Sequence, residues 1–108
     1  AVRHARHACG HASRLARELG IGLVTTRETN HFGAAFWWAR EIARHGQIGI
    51  VMCNASPLVP PWQGREPRFG TNPICMAIPG DDSWLLDMAT TTVAAGKIFK
   101  ANINGQPT

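Results

Sequence analysis

Between Asn54 and Pro73 the sequence carries five prolines (Pro57, Pro60, Pro61, Pro67 and Pro73) and two glycines, Gly64 and Gly70. Proline fixes its own φ, offers no N–H and drives the preceding residue out of the helical region, so no regular element of any length crosses this stretch. The chain must build its helices and strands from what lies on either side and join them by a long loop. Loops of that length inside small domains are functional or disordered. Leu58, Val59, Trp62 and Phe69 are apolar side chains set within it, and they point to an ordered loop.

Before the loop, Ala1, Ala5, Ala8, Ala12, Leu15, Ala16 and Leu19 recur at the three-and-four spacing of one helix face, and Gly20 suits a left-handed stop. The aliphatic and β-branched run over residues 21–26 reads as a strand. After a turn at 27–30, Thr29 or Asn30 caps a second helix through Phe36, Trp38, Ala39, Ile42 and Ala43, which Gly46 ends. Residues 48–53 are continuously apolar, as in a strand covered on both faces, so strand, helix and strand resemble a crossover unit. After the loop, residues 74–78 and 84–86 flank the turn at 79–83 as two strands. A helix over 92–101 follows, capped by Thr90 or Thr91. The expected fold class is α/β, a mixed sheet with flanking helices.

At 108 residues and 44% hydrophobic content, one compact unit is the upper bound. The first residue is Ala and a helical pattern is already running there, so the sequence reads as a segment truncated at both ends. A net charge of +4 is mild for a nucleic-acid binder. Arg3, Arg6, Arg14 and Arg17, opposed only by Glu18, give the first helix a basic face, but no recognition motif accompanies it. Cys9, Cys53 and Cys75 are odd in number and without metal-like spacing, which speaks against a disulfide framework or a zinc site and for a reducing cytoplasm. No apolar run reaches the roughly 18 residues of a membrane span, and no signal-peptide pattern appears, so a soluble protein without membrane partners is expected.

Five features can carry chemistry. His31, in Asn30-His31-Phe32-Gly33, stands where a turn enters a helix, suited to acid–base work but equally to capping. His4, His7 and His11 share a helix face, yet no acid or thiol completes a metal site there, and a solvated stripe is expected. Gly70-Thr71-Asn72-Pro73 makes a rigid bend with two hydrogen-bonding side chains. Leu86-Asp87-Met88-Ala89-Thr90-Thr91 runs from a strand end into a helix start, where an acid can meet ribose hydroxyls and free N–H groups can meet phosphate. Lys97 lies on that helix. There is no G-x-G-x-x-G, so a dinucleotide site in this chain is not of the Rossmann kind.

Taken in order and spacing, Asn30-His31-Phe32-Gly33, Gly46-Gln47-Ile48-Gly49-Ile50, Asn54-Ala55-Ser56-Pro57, Gly70-Thr71-Asn72-Pro73-Ile74, Leu86-Asp87-Met88-Ala89-Thr90 and Ala95-Gly96-Lys97-Ile98 resemble the malate/L-lactate dehydrogenase family. That family includes ureidoglycolate, sulfolactate and diketogulonate-type dehydrogenases. The resemblance implies one segment, residues 1–108, of a non-Rossmann nicotinamide-binding domain. It implies hydride transfer between NAD or NADP and a small 2-hydroxy or 2-oxo acid, with His31 as the proton acceptor toward the substrate hydroxyl. It also implies cofactor contacts at Ala55, Asp87, Met88 and Ala89, further cleft residues at Thr71, Asn72 and Lys97, no metal, and a homodimer at full length.

The sequence departs from the family in length, lacking an upstream Ser-His and arginine region and downstream cofactor contacts. A family stretch with Ile-Pro and Gly-Trp-Ala is missing between Ala101 and Asn102, and Thr29 stands where the family commonly has Ser. An inactive or degenerate fragment that keeps the fold is the alternative reading.

Overall fold

The computed structural model describes residues 1–107. Its elements, in chain order, are α1 (Val2–Leu19), α2 (Ala35–Ala43), β1 (Gly49–Met52), β2 (Ile74–Ile78), β3 (Trp84–Met88) and α3 (Ala95–Ile103). The fold is α/β, and the strands pair in chain order, β1-β2-β3, as antiparallel neighbours. No helix among the described residues is long and apolar enough to cross a membrane.

α1 forms where the apolar spacing places it and ends at Gly20 (φ 87°), whose N–H returns to the Ala16 carbonyl at 2.9 Å. Residues 21–26 differ from expectation: they are irregular and join no ladder among the described residues. Gly22 lies flat against α1, so closely that a Cβ there would collide with the Ala12 carbonyl oxygen. The alternating Leu19, Ile21 and Leu23 are 75%, 81% and 79% exposed. A strand needs a neighbour to take up its N–H and C=O groups, and local pattern cannot supply one. With this segment unpaired, the inferred crossover unit does not form among the described residues.

The second and third helices both start later than the sequence suggested. α2 is capped by Ala34, not Thr29 or Asn30, because left-handed backbone at Glu28 (φ 56°) and Gly33 (φ 92°) keeps the intervening residues in a turn. α3 is capped by Ala94, which has the extended backbone of a cap position, while Thr90 and Thr91 lie upstream of it and donate their hydroxyls to the carbonyls of Thr71, Asn72 and Val93. β1 is covered on one face only: Gly49 is buried, whereas Ile50 and Met52 remain 49% and 63% exposed.

The contacts form two compact units, residues 1–51 with 75–86, and residues 52–74 with 87–108. The first is built on small side chains. Ala35 and Ala39 of α2 meet Cys75 and Ala77 of β2, with Phe32, Phe36, Ala43 and Val51 packed around them. At Gly49 a Cβ would lie 2.5 Å from the Ala39 carbonyl, so this approach of backbone to backbone admits no side chain. Ser13, the one buried polar residue among those described, is paired with Gln47: its hydroxyl donates to Gln47 Oε1, and Gln47 Nε2 donates to the Ser13 carbonyl at 2.9 Å.

The second unit is organised by the proline-rich loop. An isolated antiparallel bridge joins Val59 to Phe69. The N–H groups of Leu58 and Val59 reach the Phe69 carbonyl, and those of Arg68 and Phe69 reach the Val59 carbonyl, all at 2.9 Å. The loop is thus ordered by its own backbone, as its embedded apolar residues foretold.

Candidate functional site

His31 belongs to the first unit and is exposed, on a turn whose neighbours are anchored. The Phe32 side chain packs against the small-residue core, and its carbonyl accepts the indole N–H of the buried Trp38 at 3.0 Å. The Gly33 N–H donates to His31 Nδ1 at 3.0 Å. An exposed imidazole is therefore held on a fixed base, with Nδ1 accepting a backbone N–H and the neutral ring's own proton on Nε2, available as a donor.

The expected cofactor and cleft residues lie in the second unit, and hydrogen bonds stitch three of its blocks together. Asn72 Oδ1 accepts the Ala55 N–H at 2.9 Å. The Thr90 N–H donates to the Thr71 carbonyl at 2.9 Å, and the Thr90 hydroxyl reaches the carbonyls of Thr71 and Asn72, both at 3.1 Å. Gly70 is buried at the centre, where a Cβ would strike the Ala55 carbonyl and lie 2.6 Å from Asn72 Oδ1. Asn72 itself sits at φ 32°, a conformation its short polar side chain tolerates. Ala55, Thr71, Asn72 and Thr90 thus form one cross-linked cluster. Asp87 and Met88, at the end of β3, are exposed, and Ala89 next to Thr90 is half-buried. Lys97 is exposed on α3, and among the described residues its side chain makes no hydrogen bond or ion pair with the cluster.

The concavity beside this cluster has an apolar wall that the sequence did not disclose. A cavity of about 320 Å³ has Val59, Pro61, Trp62 and Phe69 on its walls and Asn72 and Thr91 at its polar side. Among the described residues, no charged one lines it. Its only advance signal was the presence of large apolar residues among the prolines; the Val59–Phe69 bridge that shapes it is invisible locally.

The first unit also carries a groove with Arg6, Cys9, Arg17, Glu41 and His45 on its walls. Burial, and secondly the Glu41 carboxylate, push the Cys9 thiol above its ordinary range; burial does the same to Cys53. Among the described residues, Cys9, Cys53 and Cys75 form no disulfide. His4, His7 and His11 are exposed along α1, where Arg14 meets His11 Nδ1 at 2.7 Å.

Comparison with known proteins places these features in a family. Malate dehydrogenase of Pyrococcus horikoshii is 48% identical over 88 residues, covering 81% of this chain and 24% of its own length. Ureidoglycolate dehydrogenase (NAD(+)) of Escherichia coli K12 is 38% identical over 112 residues, covering 94% of this chain and 32% of its own. The crystal structure of malate dehydrogenase from Entamoeba histolytica superposes with a TM-score of 0.92 at 32% identity, covering 97% of this chain and 30% of that one. The chain thus spans between a quarter and a third of the length of these relatives. Since the family model for malate/L-lactate dehydrogenase matches residues 2–108 as well, the chain belongs to the malate/L-lactate dehydrogenase family.

Proposed function

We propose that residues 1–108 are one segment of a longer nicotinamide-dependent oxidoreductase domain that moves a hydride between NAD or NADP and the hydroxyl-bearing carbon of a 2-hydroxy acid. The observation that carries this reading is the cross-linked cluster: residues from three separate sequence blocks are fixed together by side-chain and backbone hydrogen bonds. Loops held that tightly around an open concavity keep a ligand's contacts in place.

The residues present suit such a cofactor: Asp87 stands exposed at a strand end, where a carboxylate can meet ribose hydroxyls, with Ala55, Met88 and Ala89 as further cofactor contacts and Thr71, Asn72 and Lys97 as further cleft residues. When bound, a nicotinamide supplies the hydride acceptor or donor. This chain's own residues supply placement and the proton. In oxidation His31 takes the proton of the substrate hydroxyl on Nδ1, the ring nitrogen that carries the lone pair, and releases the Gly33 N–H as it does so; in reduction it returns that proton to the carbonyl oxygen.

The reading extends to a homodimer at full length in a reducing cytoplasm, with a small 2-hydroxy or 2-oxo acid as substrate and neither nucleic acid nor membrane as partner. The test is direct. The polypeptide carrying this sequence, at its natural length, is mixed with NAD or NADP and a panel of malate, lactate, sulfolactate and ureidoglycolate, and absorbance at the reduced-nicotinamide band is followed. A rise with at least one acid is expected; none with any acid overturns the proposal.

A further inference from the structure

The cavity at Trp62 has a composition that selects among the parts of a dinucleotide. Trp62 is 93% exposed, an unusual position for the largest apolar side chain, which ordinarily buries most of its surface. Its position is set by a tight turn. The Gly64 N–H donates to the Pro61 carbonyl at 2.8 Å, and Gln63 takes the left-handed backbone (φ 60°) that the third residue of such a turn requires. The preceding pair, Pro60 and Pro61, stiffens the approach to that turn. The indole is thus held out at the rim of the cavity by backbone geometry.

The lining sorts the possible occupants. Pyrophosphate and carboxylate call for cations or free N–H groups, and among the described residues no charged side chain lines this cavity. What it offers is an indole face, Phe69, Val59 and Pro61 around an apolar slot, with polar groups at one side. The Asn72 amide NH₂ remains available as a donor once its Oδ1 is committed to Ala55, and the Thr91 oxygen has acceptor capacity while its proton goes to the Val93 carbonyl. A flat ring edged with hydrogen-bonding groups satisfies both surfaces at once.

We infer that this cavity receives a planar heteroaromatic ring of the nicotinamide cofactor, stacked on Trp62, with Asn72 and Thr91 at the ring's polar edge. The inference rests on the nicotinamide reading above and adds to it the residue that grips the ring. Adenine and the nicotinamide ring share the required chemistry, and the experiment separates them.

Binding of NADH and NADPH to the natural-length protein is measured by calorimetry, for wild type, Trp62→Ala and Trp62→Phe. Because Trp62 is exposed, both variants keep the wild-type melting temperature. Trp62→Ala weakens binding roughly ten- to a hundredfold, the scale of one lost aromatic stack, and Trp62→Phe recovers most of it. Trp62 emission, isolated as the difference between wild type and Trp62→Phe, is quenched by AMP if the ring is adenine and by nicotinamide mononucleotide if it is nicotinamide. Tight dinucleotide binding that Trp62→Ala leaves within twofold of wild type overturns this inference alone. Absence of dinucleotide binding in the wild type overturns the cofactor reading itself.

Discussion

The backbone N–H of Gly33 donates to Nδ1 of His31 at 3.0 Å, so a doubly protonated His31 ring and this hydrogen bond exclude one another. A neutral ring that accepts at Nδ1 carries its proton on Nε2; an imidazolium has no acceptor left. Any proton that His31 gains therefore releases Gly33, and the turn reports the charge on the ring. Long-range proton–nitrogen spectra of the neutral form should show the Nε2–H tautomer. An Nδ1–H tautomer in those spectra would remove this hydrogen bond.

Replacing His31 by Gln should lower turnover by about a hundredfold or more, the usual range for a lost acid–base group, while the cofactor dissociation constant stays within twofold of wild type. His31 is exposed on an anchored turn, so little stability is at stake. Steady-state kinetics beside calorimetry separates the two quantities. A variant with wild-type turnover would take the proton-transfer role from this residue.

Asn72 both fills a left-handed position and holds the Ala55 N–H. Asn72→Ala should cost about 1–2 kcal/mol, from the lost hydrogen bond and the strained φ together, read as a lower urea midpoint with an unchanged slope. Asn72→Asp retains the acceptor and should recover most of the loss. Equal losses in the two variants would mean that the bond to Ala55 contributes nothing.

Ser13 and Gln47 satisfy each other through two hydrogen bonds, one to a side chain and one to a backbone carbonyl. Ser13→Ala removes the hydroxyl but leaves Gln47 Oε1 behind in a partly buried place, which should cost about 1–3 kcal/mol. The double variant Ser13→Ala with Gln47→Leu should lose less than the sum of the single changes. Additive losses in that cycle would count against a paired contribution.

Cys9 has its thiol pushed up by burial first and by Glu41 second, so the folded chain holds that proton above the ordinary thiol range. Its stabilising contribution is complete below the unfolded thiol pKa and is lost as pH climbs through the raised one. Alkylation of Cys9 in the folded chain, followed by mass spectrometry, should be slower than in urea at mildly alkaline pH and should accelerate as pH rises further. Cys75, with no exposed surface, should react only after unfolding. Equal folded and unfolded rates at Cys9 would contradict the shift.

The sequence made legible whatever depends on near neighbours. α1 follows from apolar spacing and Gly20, the long loop from its prolines, and β2 and β3 from two runs that flank a turn. The errors share a cause. Residues 21–26 look like a strand, yet a strand is completed only by a partner beyond the local pattern. Thr29, Asn30, Thr90 and Thr91 all looked like caps, but capping depends on where the backbone turns helical, which left-handed angles at Glu28 and Gly33 delay at α2 and which falls after the extended Ala94 at α3.

The site divides in the same way. The blocks around His31, Ala55, Asn72 and Asp87 are conspicuous as short strings, which is why the family could be recognised from them. The bond from Asn72 to Ala55 spans 17 positions and the Thr90 links span 18 and 19, so nothing in any one string announces that they meet. The Trp62 cavity was hidden for the same reason.

Ile21 and Leu23 stand exposed at alternate positions along a backbone that joins no ladder among the described residues, just after an exposed Leu19 ends α1. That arrangement is a template for intermolecular strand addition. A sample of these 108 residues alone would be sticky in a directional way, recruiting copies through this one ribbon. A single lysine at Leu23 would make it more tractable in solution, without touching His31 or the Asn72 cluster.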